Sequence, residues 1–136
     1  MKEKQLTKKV TFDVYIKELD VWAPQTFTAR IFELEPGRFI RLFPIGTLAR
    51  VLCRTPQMVT FWERDGKFPA PLFAIDGDKR KTRRWYSEAQ ILMVSKHQRN
   101  ILGDKPTSTN NQHSDHDQFF AAVRRDWTIE LREETV

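Results

Sequence analysis

The sequence predicts an α+β protein with a mainly helical core, in which a helix-turn-helix is followed at once by a basic β-hairpin. Three observations lead there. Ile45, Leu48, Ala49 and Leu52 recur at helical spacing, and after a break at Cys53-Arg54 a second short apolar pair, Val59 and Trp62, does the same. Asp76-Gly77-Asp78 stands between two β-prone runs, the signature of a tight hairpin. The charge is also concentrated. Residues 38–105 hold fourteen basic and six acidic side chains, a net of +8, while residues 1–37 balance and residues 106–136 are net acidic.

The first 42 residues form an N-terminal extension. Phe12, Tyr15, Ile16 and Leu19 fit helical spacing with Thr11 as cap, while Val10, Phe12, Val14 and Ile16 fit strand alternation equally well. The preferred expectation is a short helix. ARIFEL and FIRLF then flank Glu35-Pro36-Gly37-Arg38, and Pro followed by Gly suits a type II turn. A β-hairpin over residues 28–43 is expected, packed on the helical core as an accessory layer.

The first helix of the motif spans Ile45–Leu52. Thr55 is a good N-cap and Pro56 suits the first helical position, where its missing N–H costs nothing. The second helix, Pro56–Arg64, ends before Asp65-Gly66. Its inner face is Val59 and Trp62 with Phe61 flanking, and Gln57, Thr60 and Arg64 fall outside. Pro69 and Pro71 break any continuation. Residues 72–75 and 82–86 are expected to pair as strands. Ser87 with Gln90 three positions on forms a capping box for a third helix that reaches about residue 101, and Gly103 stops it.

Residues 103–116 contain no apolar side chain and read as a flexible linker. Phe119, Phe120, Val123, Trp127 and Leu131 then repeat at helical spacing, so an amphipathic helix is expected over about residues 117–133. The organisation predicted is an extension (1–42), a helix-turn-helix domain with its hairpin (43–102), a linker (103–116) and a C-terminal helix (117–136).

Several function classes are disfavoured. Cys53 is the only cysteine, so an intramolecular disulfide and a cysteine metal cluster are both ruled out. His113 and His116 lie in a polar stretch with no further ordered ligand, and zinc binding is not expected there. No phosphate-binding glycine loop, nucleophile elbow or HExxH pattern is present, so no catalytic residues, enzyme activity, cofactor or small-molecule ligand is expected. No apolar leader or membrane-spanning run is present, and a cytoplasmic, nucleoid-associated protein of a bacterium or phage-infected cell is the expectation.

Residues 43–95 resemble the MerR-like winged helix-turn-helix superfamily, which includes phage excisionase-like and small-terminase-like DNA-binding domains. The likeness rests on Ile45-Gly46-Thr47-Leu48-Ala49 in the first helix and Thr55-Pro56-Gln57 opening the second. Trp62-Glu63-Arg64-Asp65-Gly66-Lys67-Phe68-Pro69 follows at the helix exit, and Arg84-Trp85-Tyr86-Ser87 returns from the wing. The resemblance implies binding to double-stranded DNA, in transcriptional regulation or in phage-type excision or packaging. It does not imply a metal or drug response, because a long dimerising helix and an effector region have no counterpart. Thr60 stands where the family often has a basic residue, which weakens direct guanine reading there.

The residue chemistry fits such a role. Gln57 can pair with adenine, Thr60 can touch a thymine methyl, and Arg64 can pair with guanine or grip phosphate. Lys79, Arg80, Lys81 and Arg83 supply phosphate contacts from the wing, with Arg50 and Arg54 flanking the turn and Thr47 and Lys67 as weaker candidates. Arg84 is expected to be structural, bonding back to the first helix or to Glu63. The face of Phe119, Phe120, Val123, Trp127 and Leu131 is costly to expose. It either folds back within the chain or binds a partner, including a second copy in a homodimer. The alternative function is a protein-interaction adaptor that grips through this helix and the N-terminal hairpin.

Overall fold

The chain opens with a long antiparallel hairpin. In the computed structural model, which describes residues 6–69, 84–103, 113–128 and 130–135, β1 (Thr7–Ile16) pairs with β2 (Val21–Glu35) from Thr7↔Arg30 to Ile16↔Val21. The short helix expected in this stretch is therefore a strand and its turn. Helical and strand spacings compete here, and the full-length partner β2 decides between them. Phe12 and Val14 point into the core, whereas Leu19, which the helical pattern needed inside, is 68% exposed in the turn.

β2 changes partner along its length. Residues up to Arg30 pair with β1, and from Arg30 onward β2 pairs with β3 (Arg38–Pro44), with a bulge between Glu33 and Glu35. Pro24 lies where β2 pairs on one side only, an edge position of the kind to which proline is confined in sheets. The hairpin expected over residues 28–43 is present, its paired residues running from Arg30↔Leu42 to Glu35↔Arg38. Gly37 turns it at φ 82°, a conformation an L-residue rarely adopts. The other edge of β3 is shared by two short strands. β4 (Trp85–Ser87) pairs with Leu42–Phe43–Pro44, and β5 (Arg132–Glu134) pairs with Phe39–Ile40–Arg41. The strand expected at 72–75 and the hairpin tip lie outside the described residues.

α1 (Ile45–Leu52) follows β3 without a loop, and α2 (Pro56–Arg64) follows after three residues. Both match the boundaries read from the sequence. The Thr55 hydroxyl accepts the Met58 N–H, and Pro56 occupies the first turn. α3 (Glu88–Leu102) begins with the predicted reciprocal box, Gln90 N–H to Ser87 Oγ and Ser87 N–H to Gln90 Oε1. α4 is His113–Asp126, so it starts within the expected linker and ends seven residues earlier than predicted. Its first turn needs no apolar residue, because Asp115 complements the helix dipole there. Leu131 lies beyond the helix, on the segment leading into β5.

The main core draws Phe12 and Val14 from β1, Phe43 from β3, Leu48 and Val51 from α1, Ile91 and Val94 from α3, and Phe119 and Val123 from α4. A smaller cluster joins Phe32, Ile40, Leu42 and Trp85, with Leu131 against it. The N-terminal strands are thus part of the core and not an accessory layer. The α+β class stands, but the core is sheet-rich where a mainly helical one was expected.

One ionic cluster fastens the C-terminal strand. Arg41 donates to both carboxylate oxygens of Glu88, at 3.0 and 2.8 Å, and also to Glu134, while Lys8 reaches Glu134 at 3.3 Å. The Arg41, Glu88 and Glu134 side chains are all nearly enclosed. Burial alone would raise the Glu134 carboxyl, but the hydrogen bonds from Arg41 and Lys8 outweigh it and hold it below the ordinary range. Glu134→Gln removes one of the two carboxylates that Arg41 holds, while Glu88 remains, and is expected to cost about 2 kcal/mol in denaturant unfolding. The pH dependence has a definite sign. The Glu134 contribution is complete above the unfolded value of about 4.3 and is lost as pH falls through the lower folded value. The wild-type protein is therefore expected to lose more stability than Glu134→Gln between about pH 5 and about pH 3. Equal losses in parallel pH-dependent unfolding curves would show that this carboxylate contributes nothing.

Candidate nucleic-acid interface

α2 is held by its inner face. Val59 is fully buried and Trp62 nearly so, with the Trp62 ring set edge-on to Phe120 at 5.0 Å and near Phe68 at 6.2 Å. The helix exit is closed by Asp65 N–H to Phe61 C=O and by Lys67 and Phe68 N–H to Trp62 C=O. Fixing one side in this way determines what the other side shows.

The outer face carries Gln57 and Arg64, both exposed as expected. Thr60 is half-buried, and its hydroxyl donates to Pro56 C=O at 3.0 Å. Its donor is therefore used within the helix, leaving its methyl and a lone pair for a ligand. Met58 is 42% and Phe61 56% exposed, so Phe61 belongs outside and not beside the inner pair. The helical step of about 100° already places residue 61 well away from the midline of residues 59 and 62. Its apolar character concealed that.

Arg50, in the last turn of α1, donates to Tyr15 C=O at 3.3 Å, and Arg54 donates to Cys53 C=O at 3.1 Å. Both remain half-buried beside the start of α2. Cys53 sits between them in the left-handed region, φ 56°, and its thiol donates to the same Tyr15 carbonyl at 3.3 Å. Burial pushes that thiol up, and the lowering influence of Arg50 and Arg54 does not cancel it, so it stays protonated at neutral pH. Thr47 is buried, which removes it as a contact candidate, and Lys67 lies 3.4 Å from Asp65. Arg84 pairs with Glu63 at 2.6 Å, the structural role expected for it. Lys79, Arg80, Lys81 and Arg83 lie outside the described residues.

The expected partner-binding face of the C-terminal helix is spent within the chain. Phe119, Phe120 and Val123 are buried in the main core, Trp127 packs edge-on to Phe68 at 5.8 Å and Tyr86 at 6.2 Å, and Leu131 covers the smaller cluster. Arg124 donates to Lys67 C=O at 2.8 Å, and His97 lies 2.7 Å from Asp126. Intramolecular burial removes the apolar surface from water without the loss of translational freedom that a partner would demand. Among the described residues no cluster of three or more His, Cys, Asp or Glu could hold a metal ion, and no helix is long and apolar enough to cross a membrane.

Compared with known protein-family models, curated proteins and solved structures, the chain has no significant match in any of the three.

The two faces of α2 should separate cleanly by mutation. Gln57→Ala and Arg64→Ala are expected to change stability by less than about 0.5 kcal/mol, whereas Trp62→Ala costs about 3 kcal/mol or more. Chemical denaturation of the three variants measures this. A large loss in either outward variant would mean that its side chain is structural.

Proposed function

We propose that the chain binds duplex DNA by laying α2 in the major groove, with Arg50 and Arg54 against the flanking phosphates. The observation that supports it best is the division of α2. Val59 and Trp62 anchor the helix, and Gln57, Met58, Phe61 and Arg64, which it shows outward, suit a base edge or a backbone. The Gln57 amide can pair with adenine, and the Arg64 guanidinium can grip guanine or phosphate. Met58, Phe61 and the Thr60 methyl offer apolar contact to thymine methyls. The two flanking arginines fix the register of the helix on the duplex without reading sequence.

The wing completes this reading on sequence alone. Lys79, Arg80, Lys81 and Arg83 form a cationic run whose phosphate contacts would add affinity on any sequence. The winged helix-turn-helix likeness, and with it a place in transcriptional regulation or in phage-type excision or packaging, belongs to the same proposal. A second reading draws on Met58 and Phe61. Two large exposed apolar side chains on one short helix also suit a groove on a protein partner, which would make the chain an adaptor.

Salt and sequence separate the two readings. On a random duplex pool, affinity is expected to fall steeply as salt rises. Neutralising Lys79, Arg80, Lys81 and Arg83 together should weaken binding to every duplex and flatten the slope by up to about 0.9 per lost contact. Gln57→Ala should change the selected site more than the overall affinity. Absence of duplex binding even at about 50 mM salt would overturn the DNA reading.

A further inference from the structure

We infer that the turn of the β1–β2 hairpin is a DNA-contacting element in its own right: Lys17 joins Arg50 and Arg54 in a cleft that receives one phosphate of the duplex backbone beside the groove entered by α2. This rests on the DNA-binding reading above and adds to it an element that lies outside the helix-turn-helix.

The cleft has a volume of about 440 Å³ and is lined by Lys17 and Glu18 from the β1–β2 turn, Arg50 from the end of α1, Cys53, Arg54 and Thr55 from the connection to α2, and Met58 from the first turn of α2. Three cations against one acid make it attractive to a monoanionic phosphodiester. Met58 forms part of its wall and also part of the outward face of α2. The cleft and the base-reading side chains therefore open on adjoining surface. A duplex seated against α2 would bring its backbone past this point.

The turn is built to hold its place. Tyr15 C=O accepts from both Arg50 and Cys53, which ties the end of β1 to the helix-turn-helix. Leu19 N–H donates to Ile16 C=O at 3.2 Å and Asp20 N–H to Lys17 C=O at 3.3 Å. The Tyr15 hydroxyl donates to the Asp20 carboxylate, which engages that negative charge and pushes the phenol up to about 12. Arg50 directs one of its five donors at the Tyr15 carbonyl, so it can anchor the turn and still present N–H groups to a phosphate. Cations held in position before the duplex arrives lose little freedom on binding. Glu18 opposes the anion, and this gives the proposal a second, opposite-signed test.

The experiment is a duplex-binding titration over a range of KCl with the full chain, using wild type, Lys17→Ala, Glu18→Gln and the charge-matched control Lys96→Ala, each first checked for an unchanged thermal transition. Lys17→Ala is expected to weaken binding about threefold to tenfold near 100 mM salt and to reduce the slope of log affinity against log salt by about 0.9, the release expected for one phosphate contact. Glu18→Gln should tighten binding, and Lys96→Ala should leave the slope as it is. Lys17→Ala and Glu18→Gln curves that overlay wild type would overturn the inference while leaving α2 as the reader. The assignment to a duplex would also fall if inorganic phosphate stabilised wild type but not Lys17→Ala, with no difference between them on DNA. A wild type that bound no duplex would overturn the parent reading and this one together.

Discussion

Trp62 is the side chain on which the arrangement of the candidate interface depends. It is the inward anchor of a nine-residue helix, too short to be stable by its own hydrogen bonds. Its ring meets Phe120 and Phe68, Phe68 meets Trp127, and Trp127 meets Tyr86. These contacts connect α2, the loop after it, β4 and the C-terminal segment through aromatic edges and faces, where geometry is more demanding than in an aliphatic core. The orientation of Gln57, Met58, Phe61 and Arg64 follows from that chain of contacts.

The C-terminal segment consequently supports α2 from behind. α4 supplies Phe120 beneath Trp62, and its arginine Arg124 holds the loop carbonyl at Lys67. The chain then runs on to β5, which lies on β3 and is locked by Arg41, Lys8 and Arg38 through Glu134 and Glu133. A segment that could have served a partner thus closes the protein's own core. β1 and β5 are linked across the sheet by Lys8 on Glu134.

How much was legible in the sequence varies with the range of the interaction. Both helices of the central motif, the Thr55 cap and the Ser87–Gln90 box are local devices, complete within four residues, and they are where the sequence places them. The N-terminal strand was missed because Phe12 and Ile16 satisfy two periods at once, and only pairing with β2 selects one. Phe61 was misplaced because a large apolar residue next to an inner pair suggests burial, while the angular step around the helix puts it outside. The end of α4 was overrun because Trp127 and Leu131 continue the helical spacing but bury themselves by other means, Trp127 on Phe68 and Tyr86, and Leu131 on the sheet cluster.

The candidate site shows the same division. The exposure of Gln57 and Arg64 on α2 was readable from helical spacing, and Glu63 was one of the two partners expected for Arg84. Lys17 carried no signal, since it lies 33 residues before Arg50 and the two line one cleft only in the folded chain.

By itself the sequence determined the boundaries of α1 and α2, the caps of α2 and α3 and the outward placement of Gln57 and Arg64, because each depends on neighbours within a turn or two. Only the tertiary structure decided that the first strands belong to the core, that the apolar face of α4 is consumed within the chain, and that a hairpin turn meets the end of α1. Those outcomes depend on which distant surfaces bury one another, and burial is non-directional: many partners would satisfy an apolar face, and only the folded chain selects one.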